Sequence, residues 1–132
     1  MNTDSKPISG SILLERELTE KILGAAFKVQ NKLGAGFLEK VYENALSIEL
    51  KKSGFTVDSQ KAFPVKYEGV VVGDYVADLV VADKVVVECK AVVALDAVHD
   101  AQLINYLKAS GLRVGLLINF ARPKLQFRRL VV

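Results

Sequence analysis

Asp74-Tyr-Val-Ala-Asp-Leu-Val-Val-Ala-Asp-Lys-Val-Val-Val-Glu-Cys-Lys90 decides how this chain folds. The run is almost all Val, Ala and Leu, yet it carries Asp78, Glu88 and Lys90. Charges inside an apolar run are costly to bury unless they are paired or bind metal. Side chains alternate along a strand, so Glu88 and Lys90 share one face and Cys89 takes the other. The break between the two halves falls at Ala82-Asp83-Lys84. A three-residue loop there sets Val81 against Val85, Val80 against Val86, and Asp78 against Glu88. Opposed residues on antiparallel strands have Cβ atoms about 4.5–5.5 Å apart. A two-residue loop, Asp83-Lys84, sets Asp78 against Cys89 and turns Glu88 away. The chemistry of the stretch therefore hangs on its register.

Two carboxylates that close repel each other unless a cation sits between them. Two carboxylate oxygens, a backbone carbonyl and several waters suit octahedral Mg²⁺ or Mn²⁺. The Cys89 carbonyl lies between the two acidic positions and is a candidate third contact. Lys90, beside such a metal, is placed to orient an attacking water or to stabilise charge on a phosphate. The plainer alternative is a hairpin whose surface Asp, Glu and Lys form ordinary salt bridges.

At 132 residues, 51% hydrophobic and 25% charged, the chain is expected to form one globular domain with a real core. Residues 1–14 are polar, with Pro7 and Gly10, and read as a flexible tail; 15–132 read as the domain. The net charge of +3 and a pI near 9.0 are compatible with a polyanionic partner. A single cysteine excludes an internal disulfide, and one histidine beside it leaves no zinc cluster. No apolar run reaches the roughly 18 residues of a membrane span, so a membrane partner is not expected. The start lacks a basic segment followed by an apolar one, so a cytoplasmic protein is expected.

Around the central stretch, apolar residues Leu18, Ile22, Ala25, Ala26, Val29 and Leu33 recur at helical spacing from about Glu15. Gly34-Ala-Gly36 ends that helix. A second helix runs from about Phe37 to Ser53, with apolar Leu38, Val41, Tyr42, Ala45, Leu46, Ile48 and Leu50. Glu39 sits in its first turn, where the helix dipole favours an acid. Glu39 is also a candidate third acid, approaching from the helix side, and Glu43, one turn on, is its substitute. Tyr42 has either a core or a site role, of which core is the simpler. Phe55–Glu68 reads as a strand in which Pro64 marks an edge or a bulge.

Beyond the hairpin, Asp96 is a candidate N-cap for a helix over Ala97–Ser110, closed by Gly111. Val98, Ala101, Ile104 and Leu107, with Leu103, form its apolar stripe, and His99, Gln102 and Tyr106 share an adjoining face. Arg113–Phe120 is a continuous apolar run, as in a strand buried on both faces and parallel to a neighbour. Pro123 breaks the chain before a short last strand, Lys124–Val132. Arg122, Lys124, Arg128 and Arg129 make that end the most basic part of the chain. They suit either a charged edge strand or phosphate contacts, and the edge itself is a candidate homodimer contact.

The expected order is α-α-β-β-β-α-β-β, a mixed sheet flanked by helices. An acid on a helix, an Asp on the second strand, Glu-x-Lys on the third and Gln-x-x-x-Tyr on the next helix hang on it. This constellation resembles the PD-(D/E)xK nuclease superfamily and its restriction-endonuclease-like core. Gln102-Leu-Ile-Asn-Tyr106 is similar to the Gln-x-x-x-Tyr motif of the RecB-like branch. Gly36-Phe-Leu-Glu39-Lys-Val-Tyr42 is similar to the signature of the small bacterial GxxExxY proteins. The resemblance spans roughly residues 16–130, with Ala77 where the superfamily name has Pro. It implies a Mg²⁺- or Mn²⁺-dependent nuclease acting on nucleic acid, DNA by analogy. Asp78 and Glu88 would be metal ligands with the Cys89 carbonyl, Lys90 the catalytic lysine and Glu39 the helix acid. Gln102 and Tyr106, with Tyr42 and Glu43, would support the site or touch substrate. The other reading is a catalytically weak or inert nuclease-fold module that binds nucleic acid or a protein.

Overall fold

The computed structural model describes residues 14–132, so the expected tail lies outside it apart from Leu14. The elements follow the expected order: α1 (Arg16–Leu33), α2 (Glu39–Lys52), β1 (Val57–Tyr67), β2 (Val70–Val81), β3 (Val85–Lys90), α3 (Ala97–Ser110), β4 (Val114–Asn119) and β5 (Gln126–Val131). The five strands form one sheet in the order β1-β2-β3-β4-β5. Neighbours are antiparallel except β3 and β4, which run parallel with α3 as the connection. The architecture is α/β, with the mixed sheet and restriction-endonuclease-like layout that the sequence implied.

The hairpin adopts the three-residue loop. Val81 pairs with Val85 and Val80 with Val86. Ala82 and Asp83 both take positive φ, 54° and 56°, which turns the chain within three residues. This register puts alternate residues of β2 and β3 into two separate cores. On one face Leu79, Val81, Val85, Val87 and Cys89 pack against α1 and α2 through Ile22, Ala26, Tyr42, Leu46 and Leu50. On the other, Val80, Val86 and Leu117 meet Leu103 and Leu107 of α3. β3 and β4 are covered on both faces, which is why they read as unbroken apolar runs. β1 is an edge strand, so the edge expectation for Pro64 holds; the register shift falls beyond it, between Val65 and Lys66.

α3 differs from its sequence reading. Of the expected stripe only Leu103 and Leu107 are buried; Val98 is 62% exposed, and Ala101 and Ile104 are exposed too. The reason lies on β5. Arg128 pairs with the Asp100 carboxylate and also donates to the Leu95 carbonyl at 3.1 Å. Asp100, Leu103 and Leu107 stand at i, i+3 and i+7, so this ion pair turns that face to the sheet and leaves Val98 outward. The capping expectation holds: Asp96 Oδ1 accepts from the Val98 N–H at 2.9 Å, and His99 Nδ1 accepts from the Asp96 N–H at 3.0 Å. His99 is thereby explained as a cap.

Close approach of α3 to the sheet requires Gly115. A Cβ there would lie 2.7 Å from Leu103 Cδ1 and 2.9 Å from its Cγ. Gly115→Ala is expected to lower the unfolding free energy by about 1–3 kcal/mol through overpacking. Urea unfolding checks this, and an unchanged midpoint contradicts it.

The basic C-terminal segment is largely spent on the fold. Arg128 is held as described, and Arg129 donates to Thr19 Oγ1 at 3.2 Å and to the Leu14 carbonyl. Arg122 and Lys124 stay exposed in the β4–β5 connection. Among the described residues no helix is long and apolar enough to cross a membrane.

Candidate active site

β2 and β3 part company at the acids. Their pairing ends at Leu79 opposite Val87, and the next pair in that register is Asp78 opposite Glu88. Side chains take over from the backbone there. The Asp78 N–H donates to Glu88 Oε2 at 2.8 Å, and the Cys89 N–H donates to Asp78 Oδ2 at 2.9 Å. Each carboxylate thus has one oxygen fixed by the opposite strand and one left over. The other side of β2 is open as well. Ser59 pairs with Leu79 and Lys61 with Ala77, while Gln60, between them, takes φ 53° and drops out of the ladder. Asp78 therefore sits in a gap in the sheet, flanked on both sides by broken pairing.

Burial and like charge act together in this gap. Glu88 is only 3% exposed. Burial first, and then the neighbouring Asp78 charge, push its carboxyl up to about 8 from an ordinary value of 4.5. Burial also raises Asp78, with the Glu43 charge adding to it, while the Cys89 N–H and Lys90 pull it back. Lys90, half-buried at the end of β3, favours ionisation of both acids. It forms no ion pair with either. Among the described residues, the ion pairs lie elsewhere, so the surface salt-bridge reading does not describe this cluster.

The helix acids fall in two places. Glu43 is 4% exposed, and its Oε2 accepts from Gln60 Nε2 at 2.8 Å and Lys40 Nζ at 3.2 Å. The same Gln60 nitrogen lies 3.5 Å from Asp78 Oδ1. Glu39, a turn earlier, is exposed and accepts from the Ala91 N–H at 3.1 Å. It borders a cleft of about 610 Å³ that also involves Phe37, Lys40 and Ala121. So Glu43 faces the strand acids, and Glu39 stands at the mouth beyond Lys90. Gln60 was not singled out from the sequence.

Tyr106 lies on the α3 side of the sheet, packed against the second core. Its ring packs edge-on against Tyr75 at 5.3 Å, and burial, with the Glu88 and Asp78 charges, pushes its hydroxyl up to about 12. Gln102, one turn before it, is exposed. Tyr42 is a core residue: fully buried, stacked on Phe120 at 4.7 Å, it donates to the Gly34 carbonyl at 2.6 Å and accepts from the Phe37 N–H at 3.1 Å. It thus shapes the Gly34–Phe37 loop that leads into Glu39. The Cys89 side chain is buried in the α1–α2 core and its thiol is pushed up by burial, so only its backbone faces the gap. Asn119 ties the β3–α3 loop to β4, accepting from the Val92 N–H at 3.1 Å and donating to its carbonyl at 2.8 Å.

No three His, Cys, Asp or Glu side chains among the described residues are gathered as a metal cluster. Two carboxylates completed by a backbone carbonyl and water need no third. The donor set fits a hard divalent cation: two oxygens without partners of opposite charge, in a buried place where like charge is already penalised. Whether the sheet was opened for such an ion is a question of kinship as well as geometry. A family model described as the PD-(D/E)XK nuclease superfamily matches residues 16–130. The crystal structure of SSO0001 superimposes with a TM-score of 0.52 at 17% identity, a likeness of fold. It covers 92% of this chain and 60% of that one, so the chain spans under two thirds of that protein's length. No curated protein matches the sequence.

Proposed function

Because this chain belongs to the PD-(D/E)XK nuclease superfamily, we propose that it is a divalent-metal-dependent nuclease hydrolysing phosphodiester bonds of DNA. One observation carries the reading: a buried Glu88 and a half-buried Asp78 face each other across an opened hairpin, each with an oxygen that the opposite strand does not hold, and among the described residues no cation pairs with either. A structural cluster would pair its charges. A metal site leaves them for the ion. The narrower kinship with GxxExxY proteins is part of the proposal, supported by Gly36, Glu39 and Tyr42, as is the Gln-x-x-x-Tyr likeness of Gln102 and Tyr106. A single catalytic domain over 15–132 belongs to it too.

Asp78 and Glu88 would hold Mg²⁺ or Mn²⁺. The Cys89 carbonyl would assist, because in a strand it points the same way as the N–H that already reaches Asp78. Such an ion supplies Lewis acidity toward a phosphoryl oxygen and lowers the pKa of bound water. Lys90 stabilises negative charge as it develops on the phosphate. Glu43, with its fixed oxygen turned to Gln60, is the better-placed helix acid for orienting water; Glu39 lines the cleft through which substrate approaches. Tyr106, on the α3 side, would support the site or touch substrate, as the Gln-x-x-x-Tyr likeness implies.

A second reading, an inert nuclease-fold module that binds nucleic acid or protein, is favoured by one feature. The third acid reaches the pair only through Gln60. The test is incubation of the full chain with single- and double-stranded DNA in Mg²⁺, in Mn²⁺ and in chelator. The proposal expects metal-dependent cleavage. Lys90→Ala is expected to keep Mn²⁺ affinity within a few-fold yet lose cleavage by about 10²–10³-fold. Salt-sensitive DNA binding without cleavage under any metal would establish the second reading.

A further inference from the structure

We propose that Gln60 is a positioning residue for the metal site: its side-chain amide bridges Glu43 on α2 to Asp78 on β2 and sets how far the helix acid stands from the metal. The proposal rests on the metal-site reading above and extends it to a residue on the edge strand.

Three observations converge on Gln60. Its backbone is left-handed, φ 53°, inside a strand. That conformation is natural to glycine and uncommon for other residues, and such departures gather where function holds them. Its place in the ladder is opposite Asp78, and the pairing there is broken. Its amide nitrogen lies 2.8 Å from Glu43 Oε2 and 3.5 Å from Asp78 Oδ1. The second contact is at the long edge of hydrogen-bond distance. The orientation of the amide follows from chemistry. Both neighbours are carboxylates, which only accept when ionised, so the NH₂ end faces them.

The consequence is geometric. One nitrogen stands between the helix acid and the strand acid, so Glu43 is held off the ion that Asp78 would bind. Glu43 would then act on a bound ion from outside its direct ligands. The neutral amide also keeps two carboxylates from meeting without a donor between them. A residue that hydrogen-bonds a metal ligand changes metal affinity by about 10–100-fold when it is removed.

The decisive variant is Gln60→Gly. Glycine takes the left-handed backbone without steric cost, so unfolding temperature is expected to hold or rise, while Mn²⁺ affinity by calorimetry falls about tenfold or more. Gln60→Asn keeps both a tolerated backbone and an amide, one methylene short, and is expected to recover part of that affinity. If glycine lowers affinity and asparagine restores some of it, the amide acts on the ligand. If Gln60→Gly binds Mn²⁺ as tightly as wild type, Gln60 is only a turn residue and the proposal fails.

Wild type that takes up no Mn²⁺ at all defeats the metal-site reading instead. The bridge is then read in the metal-free protein by NMR of the Gln60 side-chain amide. Protection from exchange in wild type that disappears in Glu43→Ala supports the bridge. A freely exchanging amide in wild type overturns it.

Discussion

Asp78→Asn is expected to abolish metal-dependent cleavage, by roughly a thousandfold, equivalent to about 4 kcal/mol of transition-state stabilisation. Calorimetric Mn²⁺ binding is expected to vanish with it. The fold should survive. Asparagine still offers an oxygen to the Cys89 N–H, which Asp78 accepts at 2.9 Å. It also removes the charge that adds to the penalty on Glu88. Thermal unfolding of the metal-free variant should therefore be no lower than that of wild type. A purely structural acid gives the opposite pattern, a loss of stability and no change in metal affinity. Cleavage at the wild-type rate by Asp78→Asn contradicts the assignment outright.

Glu88→Gln is expected to make the metal-free protein more stable in alkaline solution while removing its response to metal. The sign follows from the Glu88 carboxyl, raised to about 8 in the folded chain from an ordinary 4.5. A raised acid is bound to its proton in the native state over a range where the unfolded chain has lost it. Its stabilisation is full below the unfolded value and disappears as pH climbs through the folded one. Across that window wild type loses about 1.4 kcal/mol per pH unit through this one group. Glutamine carries no such proton, so its stability lacks that slope, and above pH 8 it should exceed wild type by several kcal/mol. Metal and proton compete for the same oxygens, so Mn²⁺ affinity of wild type should rise by up to about tenfold per pH unit across the window. Urea unfolding at a series of pH values, with and without Mn²⁺, reads both effects. A variant that unfolds like wild type at every pH contradicts the description of Glu88 as a buried acid beside Asp78.

The two predictions share a cause. Asp78 and Glu88 are placed together by strand register; the hairpin itself is legible because Val, Ala and Leu flank a short polar break, while its register is open between a two- and a three-residue loop. A three-residue loop, Ala82-Asp83-Lys84, opposes them and a two-residue loop does not; the choice lies in the structure, where β2 and β3 pair in the three-residue register up to Leu79 and Val87. β4 was legible for a related reason: buried on both faces, it has no polar alternation to mistake.

Other features were invisible for definite reasons. The face of α3 was misread because its apolar residues nearly encircle the helix, and a long-range ion pair between Asp100 and Arg128 chooses among them. Local periodicity contains no information about β5. Gln60 has no local signal in the sequence, and β1 and β2 shift register between Val65 and Lys66. Counting back from the turn at Gly69, with Tyr67 opposite Val70, brings Ser59 opposite Asp78; the shift replaces it with Gln60. From sequence Glu39 is ranked ahead of Glu43, although the two share a helix face and nothing local separates them. The difference between them is set by Gln60 on one side and Ala91 on the other.

The most direct test of the central claim is an anomalous-scattering map of crystals grown with Mn²⁺. The account predicts a single strong peak in the gap between β2 and β3, within bonding distance of Asp78 Oδ1, a Glu88 oxygen and the Cys89 carbonyl. An empty gap at saturating Mn²⁺, or a peak bound by other residues alone, would contradict it.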